Sequence, residues 1–351
     1  MKHTRTRNTL GDISVLYVHV LNRALESLGT DHRPLMARFG LSPELLSAPG
    51  ARISIPRFMR LGQAATEACG DPALGLIMGE MSRPVDAGRA GLAAACAPRA
   101  GRALQTLVEF SLLTSRNSRG VPSMADNTRI AEFYSIRPYN IFNYFVVDSV
   151  LAAWVQFLRT ITGHHRVVEK VEIEYDSRGL DERFSRWFDC PVIFGATGNR
   201  ITLRAGVEKM ASLEAQPAMH ELLRGECQRE LARIRAGWTT ADRVRELLPS
   251  LLQGEPPVLE DIAPRLGIAP WTLQRQLAAE NTGFRELIDL TRQDLALDYL
   301  RETTLSLAEI AWLLGFSGPP AFQKAYRRWH NISPGAHRKT LQQQRKLSRD
   351  E

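Results

Sequence analysis

Between Val258 and Arg338 one local pattern is written twice, and little other than a stack of short helices satisfies it. Leu259-Glu-Asp-Ile-Ala-Pro-Arg-Leu-Gly267 leads through a turn into Pro270-Trp-Thr-Leu-Gln-Arg-Gln-Leu277. Ser306-Leu-Ala-Glu-Ile-Ala-Trp-Leu-Leu-Gly315 leads through a second turn into Pro320-Ala-Phe-Gln-Lys-Ala-Tyr-Arg-Arg-Trp329. Ile262, Ala263 and Leu266 share one helix face, as do Ile310, Ala311 and Leu314. Gly267 and Gly315 stand where a tight reversal needs a positive φ. The helix after each turn places Leu273 and Leu277, or Phe322 and Tyr326, inward at i and i+4. Its opposite face is polar, the form of helix that enters a DNA major groove.

A longer apolar stripe, Leu287, Ile288, Thr291, Leu295, Leu297 and Leu300, predicts a connecting helix from about Phe284 to Arg301. At about 1.5 Å per residue it spans roughly 27 Å, near the roughly 34 Å between successive major grooves on one DNA face. Two readers on such a spacer can address one duplex.

The whole stretch resembles the DNA-binding domain of AraC/XylS-family transcription regulators. Ala263, Leu266, Gly267, Leu273, Arg275, Arg292, Ala296 and Leu300 match in the first half. Ile310, Ala311, Gly315, Phe316, Phe322, Tyr326, Ser333, Pro334 and Arg338 match in the second. The resemblance implies base contacts at Trp271, Gln274 and Arg275, promoter DNA and RNA polymerase as partners, and a structural role for Arg292 between the two halves.

On the residues alone, Trp271, Thr272, Gln274 and Arg275 face outward from the first reading helix. Arg275 suits guanine O6 and N7, and Gln274 an adenine edge. The competing roles are an ion pair with Glu280 for Arg275 and helix-entry packing for Trp271. In the second reading helix, Gly318-Pro319-Pro320 departs from the family pattern, since proline offers neither a side-chain donor nor an N–H. Readout there falls to Gln323 and Lys324 beside Pro320, with phosphate anchoring by Arg327, Arg328, Arg338 and Lys339; the competing reading of these cations is a solvated charged face. Asn331 replaces the usual glycine and tolerates the left-handed conformation.

Charge is distributed unevenly. The chain of 351 residues carries a net +7. Residues 241–319 hold 7 Lys/Arg against 12 Asp/Glu, a balance of −5, whereas residues 320–351 hold 8 against 2, or +6. The acidic balance is the one support for an alternative reading, a protein-interaction module or an enzyme with a helical docking surface.

The length allows two domains. Residues 1–10 read as a disordered tail, 11–205 as a mixed α+β sensor, 206–240 as a helical linker, 241–338 as the all-α DNA-binding domain with two helix–turn–helix motifs, and 339–351 as a basic, frayed tail. Within the sensor, Asp12 is expected to cap a helix running to Leu28, ended by Gly29. A hairpin is expected over Gly120–Ile136, turning at Asp126-Asn127. Val167–Tyr175 alternates as a half-buried strand, and Pro191–Phe194 and Arg200–Leu203 read as paired strands. Gly40-Leu-Ser-Pro-Glu-Leu-Leu, Cys69-Gly-Asp-Pro-Ala-Leu-Gly75 and Phe188-Asp-Cys-Pro-Val-Ile-Phe-Gly-Ala196 resemble the arabinose-binding-like sensor domain of some AraC-type regulators, the ornithine-utilisation regulators among them. That resemblance implies a small-molecule effector and leaves its identity open between an amino-acid derivative and a fatty acid. Arg116, Arg119, Tyr134 and Trp154 are candidate pocket residues, with core or surface roles as the alternative. The helix Ser212–Ile234 is either a homodimer contact or packed on its own sensor.

Other chemistry is not written here. There is no glycine-rich phosphate loop, GxSxG or HExxH, so no catalytic residue, cofactor or metal site is expected. Cys69, Cys96, Cys190 and Cys227 are far apart without a CxxC pair, which suits a reducing cytoplasm. The apolar run Ile141–Leu158 contains Asn143, Asp148, Ser149 and Gln156 and reads as a buried helix rather than a membrane span.

Overall fold

The computed structural model describes residues 11–347 except 118–121, 126–127, 136–138, 237, 253 and 303–304, and no side chains at 117, 250, 302 or 342–347. These residues form two compact units, 11–236 and 238–347. The expected tail 1–10, the turn Asp126-Asn127 and Arg119 lie outside the described residues.

The first unit holds two sheets. Strands β1 (Gly11–Ser14), β2 (Arg52–Ser54) and β3 (Ser115–Asn117) form one, in the antiparallel order β2-β1-β3. Asp12 is therefore not a helix cap. It lies in β1 opposite Ser54, and its carboxylate binds the Arg52 guanidinium. The helix begins only at Leu16 and ends at Ser27. The strand forms because partners 40 and 100 residues away complete its backbone hydrogen bonds, as β-structure requires.

Strands β4 (Ile130–Phe133), β5 (Val168–Glu172), β6 (Val192–Ile193) and β7 (Asn199–Leu203) form the second sheet, in the order β4-β7-β5-β6. The expected pairing of 191–194 with 200–203 does not occur. β6 pairs parallel to β5, and β7 lies on β5's other edge. A parallel pair needs a crossover, and the helix Asp181–Phe188 between β5 and β6 supplies it. Among the described residues the expected hairpin shows one bridge, Ser123 with Glu132, while β4 takes β7 as its ladder partner.

One helix, Tyr144–Thr162, runs through the core and ends at left-handed Gly163. Its length and composition would suit a membrane span, but 67% of its apolar window is buried inside the unit. It packs closely on the helix Leu74–Glu80, where a Cβ at Gly75 would fall 2.4 Å from the Asp148 Cβ and one at Gly79 2.2 Å from the Ala152 Cβ. Only glycine allows this approach.

The helix expected from Ser212 starts at Pro217, a residue suited to a first helical turn, and runs to Arg235. It packs on its own unit, against Gly88–Ala95. His220 Nδ1 lies 2.8 Å from the Ala93 carbonyl oxygen, Arg224 reaches Glu109 at 3.2 Å, and Cys227 and Leu231 are buried. Met219 and Leu222 remain exposed.

The second unit is helical throughout its described residues. Thr239 caps Thr240–Leu251 by accepting from the Asp242 N–H. There follow Leu259–Ile262, the tight turn Pro264–Leu266, Gly267 at φ +69°, and Pro270–Ala279. The connecting helix occupies Phe284–Glu302. Then come Leu307–Leu313, Gly315 at φ +65°, Pro319–His330, left-handed Asn331 and Pro334–Leu347. The frayed tail expected after Arg338 is instead helical as far as Leu347.

Arg292 joins the connecting helix to the second turn. Its Nε donates to the Leu314 carbonyl at 2.7 Å and Nη2 to the Gly315 carbonyl at 2.6 Å, while its guanidinium stacks on Phe316 at 4.4 Å. Helix-end carbonyls lack partners within the helix, and one planar cation here satisfies two.

Two outcomes are expected from this packing. Arg292→Ala leaves both carbonyls unpaired at a site where the arginine is only 12% exposed, and should cost about 2–3 kcal/mol. Hydrogen exchange should show lost protection over residues 306–326, and Arg292→Lys should recover less than half, because an ammonium cannot span both oxygens. Asp148 is fully buried, and that burial pushes its carboxyl up to about 6, against the opposing pull of Arg178 and Tyr175. An unfolded aspartate titrates near 3.9, so the folded state binds the proton more tightly between about pH 4 and 6. The contribution of this group therefore rises as pH falls through that window, by up to about 3 kcal/mol. Thermal melts of wild type and Asp148→Asn at pH 7 and 5 should show the difference moving in favour of wild type on acidification; a constant difference would refute the assignment.

Candidate nucleic-acid interface

The first reading helix owes its orientation to two leucines. Leu273 and Leu277 are 0% and 1% exposed and turn one side of Pro270–Ala279 into the core. The opposite side must then face solvent. Trp271 is 64% exposed, Gln274 and Arg275 are exposed, and Thr272 is half-buried. An indole left this far in water is not packing the helix entry. Arg275 stacks its guanidinium over the Trp271 ring at 5.4 Å, one helical turn away. This contact preorganises a flat cation beside an aromatic face.

Arg275 does not pair with Glu280. The Glu280 carboxylate instead accepts from the Thr240 and Ala241 N–H groups at 2.6 and 2.8 Å, capping the helix Thr240–Leu251. Burial pushes this carboxyl up, but the two backbone donors outweigh it and hold the group below its ordinary value. Sequence spacing suggested a neighbour on the same helix; the cap lies 39 residues away and leaves no local signal.

The second reading helix, Pro319–His330, is seated by Phe322 and Tyr326, both fully buried. Tyr326 hydrogen-bonds His337 Nδ1 at 2.8 Å, and Phe316 and Trp329 lie 5.8 and 6.4 Å from Phe322 and Tyr326 respectively. Pro320 and Lys324 are exposed, and Gln323 is half-buried. Pro319 and Pro320 occupy the first turn, which removes two of the N–H groups that a helix start otherwise offers an anion.

The four expected phosphate cations differ. Arg327 and Lys339 are exposed. Arg328 is exposed but meets Asp289 at 3.0 Å, a solvent-screened pair that a phosphate can replace. Arg338 is half-buried, with Nε and Nη2 enclosed and without a hydrogen-bond partner. Burial draws its guanidinium below the ordinary value, and the nearby Glu309 carboxylate offsets part of that.

Of the sensor candidates, Arg116, Tyr134 and Trp154 lie within the described residues. Trp154 belongs to the core and meets Phe133 edge-on at 6.2 Å. Arg116 lies in β3 of the other sheet, 4.0 Å from Asp12. Tyr134 is half-buried just after β4. An open cleft of about 420 Å³ is lined instead by Glu80, Gln156, Arg159, Thr160, His165 and Trp187. Three helices and the loop at His165 bring these residues together, a grouping with no local signal in the sequence.

Residues 29–209 match the arabinose-binding domain of AraC transcription regulators, and residues 262–340 match a helix-turn-helix domain. The chain is 26% identical to the ornithine utilization regulator of Pseudomonas aeruginosa, over 93% of this chain and 96% of that protein. It is also 26% identical to the HTH-type transcriptional regulator VirS of Mycobacterium tuberculosis, over 90% and 92%. The crystal structure of the transcriptional regulator CdpR from Pseudomonas aeruginosa aligns over 92% of this chain and 98% of that one, at 22% identity and a TM-score of 0.43. Membership of a regulator family also removes the enzymatic alternative: the chain belongs to the AraC family, DNA-binding transcription regulators under effector control, with an N-terminal arabinose-binding-type domain and a C-terminal helix-turn-helix domain.

Proposed function

We propose that residues 238–347 read promoter DNA through two helix–turn–helix motifs on a common spacer helix, and that residues 11–236 bind the controlling effector. The outward face of Pro270–Ala279 carries this reading: Leu273 and Leu277 are buried while Trp271, Gln274 and Arg275 stand in solvent. Arg275 grips a guanine edge, Gln274 an adenine edge, and Trp271 and Thr272 fill the groove beside them. The second helix contributes less sequence information. Gln323 and Lys324 approach bases beside Pro320, while Arg327, Lys339 and, on exchanging Asp289 for phosphate, Arg328 anchor the backbone. Arg338 is the weakest of the four anchors, since two of its nitrogens face inward.

The protein acts in the cytoplasm as a homodimer that recruits RNA polymerase as an activator. The exposed Met219 and Leu222 on the helix Pro217–Arg235 offer the subunit contact. The kinship with an ornithine utilization regulator over nearly the full length of both proteins favours an amino-acid derivative over a fatty acid as effector. Effector binding shifts occupancy of the promoter through its different affinity for two arrangements of the protein.

Band shifts with the full chain on its own promoter region test the DNA reading. Affinity should fall with salt, at a log–log slope of about −0.9 per phosphate contacted. Arg275→Ala should lose about 1–3 kcal/mol of discrimination at one base pair while keeping affinity for sequences substituted there. Lys339→Ala should weaken every sequence alike and reduce the slope by about one. Uniform weakening by Arg275→Ala would reassign that residue to the phosphates.

A further inference from the structure

A buried carboxylate in a helix core needs a cation, and in the first unit a surface turn delivers one. Asp148 is fully buried in the helix Tyr144–Thr162. One carboxylate oxygen accepts from the Tyr175 hydroxyl, and the other from Arg178 Nη2 at 3.0 Å. The Arg178 guanidinium lies over the Tyr144 ring at 4.4 Å and near the Tyr175 ring at 5.2 Å. The two rings are 4.8 Å apart, and Tyr139 closes a third side 4.9 Å from Tyr175. Aromatic faces around a carboxylate are the means by which proteins hold organic cations.

Arg178 fits this box imperfectly. It sits at φ +57°, followed by Gly179 at φ +75°, in a turn closed by the Leu180 N–H on the Ser177 carbonyl at 3.0 Å. Two successive positive-φ positions favour asparagine, aspartate or glycine at the first, not arginine. Its Nε is enclosed without a hydrogen-bond partner. Yet its side chain remains 23% exposed, so the path from solvent to Asp148 follows the arginine itself. A strained backbone and an orphaned donor are costs that a well-fitted structural ion pair does not carry.

We propose that Asp148, Tyr144 and Tyr175, with Tyr139 at the rim, form a receptor for the primary ammonium or guanidinium group of a small molecule, and that Arg178 occupies it as an internal surrogate which the ligand displaces. The proposal rests on the reading of residues 11–236 as the effector-binding half and names the chemical class and the site. A primary ammonium reaches Asp148 without burying an unpaired Nε, and displacement releases the turn 177–180 from its left-handed arginine.

The test uses the full-length protein with methylguanidinium and n-butylammonium chlorides as probes, against sodium chloride at equal ionic strength. Arg178→Ala vacates the box, so calorimetry should find methylguanidinium binding at least tenfold tighter than to wild type, with the lowered melting temperature partly restored. Adding Asp148→Asn should abolish both effects. A folded Arg178→Ala that binds neither cation, or binds them equally well with Asp148→Asn, overturns the receptor. If Arg178→Ala does not fold, Arg178→Lys and Arg178→Gln decide: the receptor requires the lysine variant to melt close to wild type and the glutamine variant well below it, and equal melting points overturn it. Either failure leaves the effector reading of this half standing, because that reading is judged separately, by whether any metabolite alters promoter affinity.

Discussion

The helix Pro319–His330 depends on a guanidinium carried by another helix, Phe284–Glu302. Arg292 reaches from the connecting helix to the Leu314 and Gly315 carbonyls just past Leu307–Leu313 and stacks on Phe316, which in turn packs against Phe322 and Trp329. A cation placed at a helix C-terminus also meets the negative end of its dipole. The contact therefore fixes one end of a chain of rings running through Tyr326 to His337. Gly315 completes the joint, since a Cβ there would fall 2.7 Å from the Leu252 carbonyl oxygen. The angle at which Pro319–His330 leaves the core is set by these contacts rather than by its own prolines.

The acidic balance of residues 241–319 is resolved by where the carboxylates are used. Asp242, Asp261, Glu280, Glu286 and Glu309 all accept from backbone N–H groups at helix starts. Asp289, Asp294 and Asp298 pair with Arg292 and Arg328, Arg245 and Arg301. Short helices expose many unpaired N–H groups for their length, so a domain built of them needs acids for its own assembly. Net charge along the chain is thus a poor guide to the sign of the field over the reading faces. Arg275, Lys324, Arg327 and Lys339 point outward while most of these carboxylates are engaged at caps and ion pairs.

Legibility in the sequence followed the range of the contacts involved. The helices Pro270–Ala279 and Phe284–Glu302 were readable to within a residue or two, because their apolar spacing, prolines and glycine turns are local signals. Left-handed Asn331 was readable for the same reason. Strand β1 was not: four residues beside a good capping aspartate look like a helix start until β2 and β3 arrive from 40 and 100 residues away. The partner of β6 was equally hidden, since two short strands around a glycine-rich loop imitate a hairpin. At the interface, the outward set on the first helix followed from Leu273 and Leu277, whereas the enclosure of Arg338 depends on packing around the final helix. Of the sensor candidates, Trp154 is a core residue, while Asp148 reads in the sequence only as a polar interruption of an apolar helix.

The two reading helices differ in how they can hold an anion. Pro270 and the Pro319-Pro320 pair both begin helices without a side-chain cap, but the second loses two N–H groups at successive positions. A phosphate cannot be cradled there by backbone donors, so positioning must come from side chains farther along. The exposed cations lie accordingly at Lys324 and Arg327 and on the next helix at Lys339, each on a long flexible stem. Such contacts follow the phosphate backbone without demanding one base sequence beneath it. The first helix, with a stacked Trp271 and Arg275 already aligned, loses less freedom on meeting a base edge. On the proposed reading, specificity in the first half and adhesion in the second thus follow from one difference in local backbone chemistry.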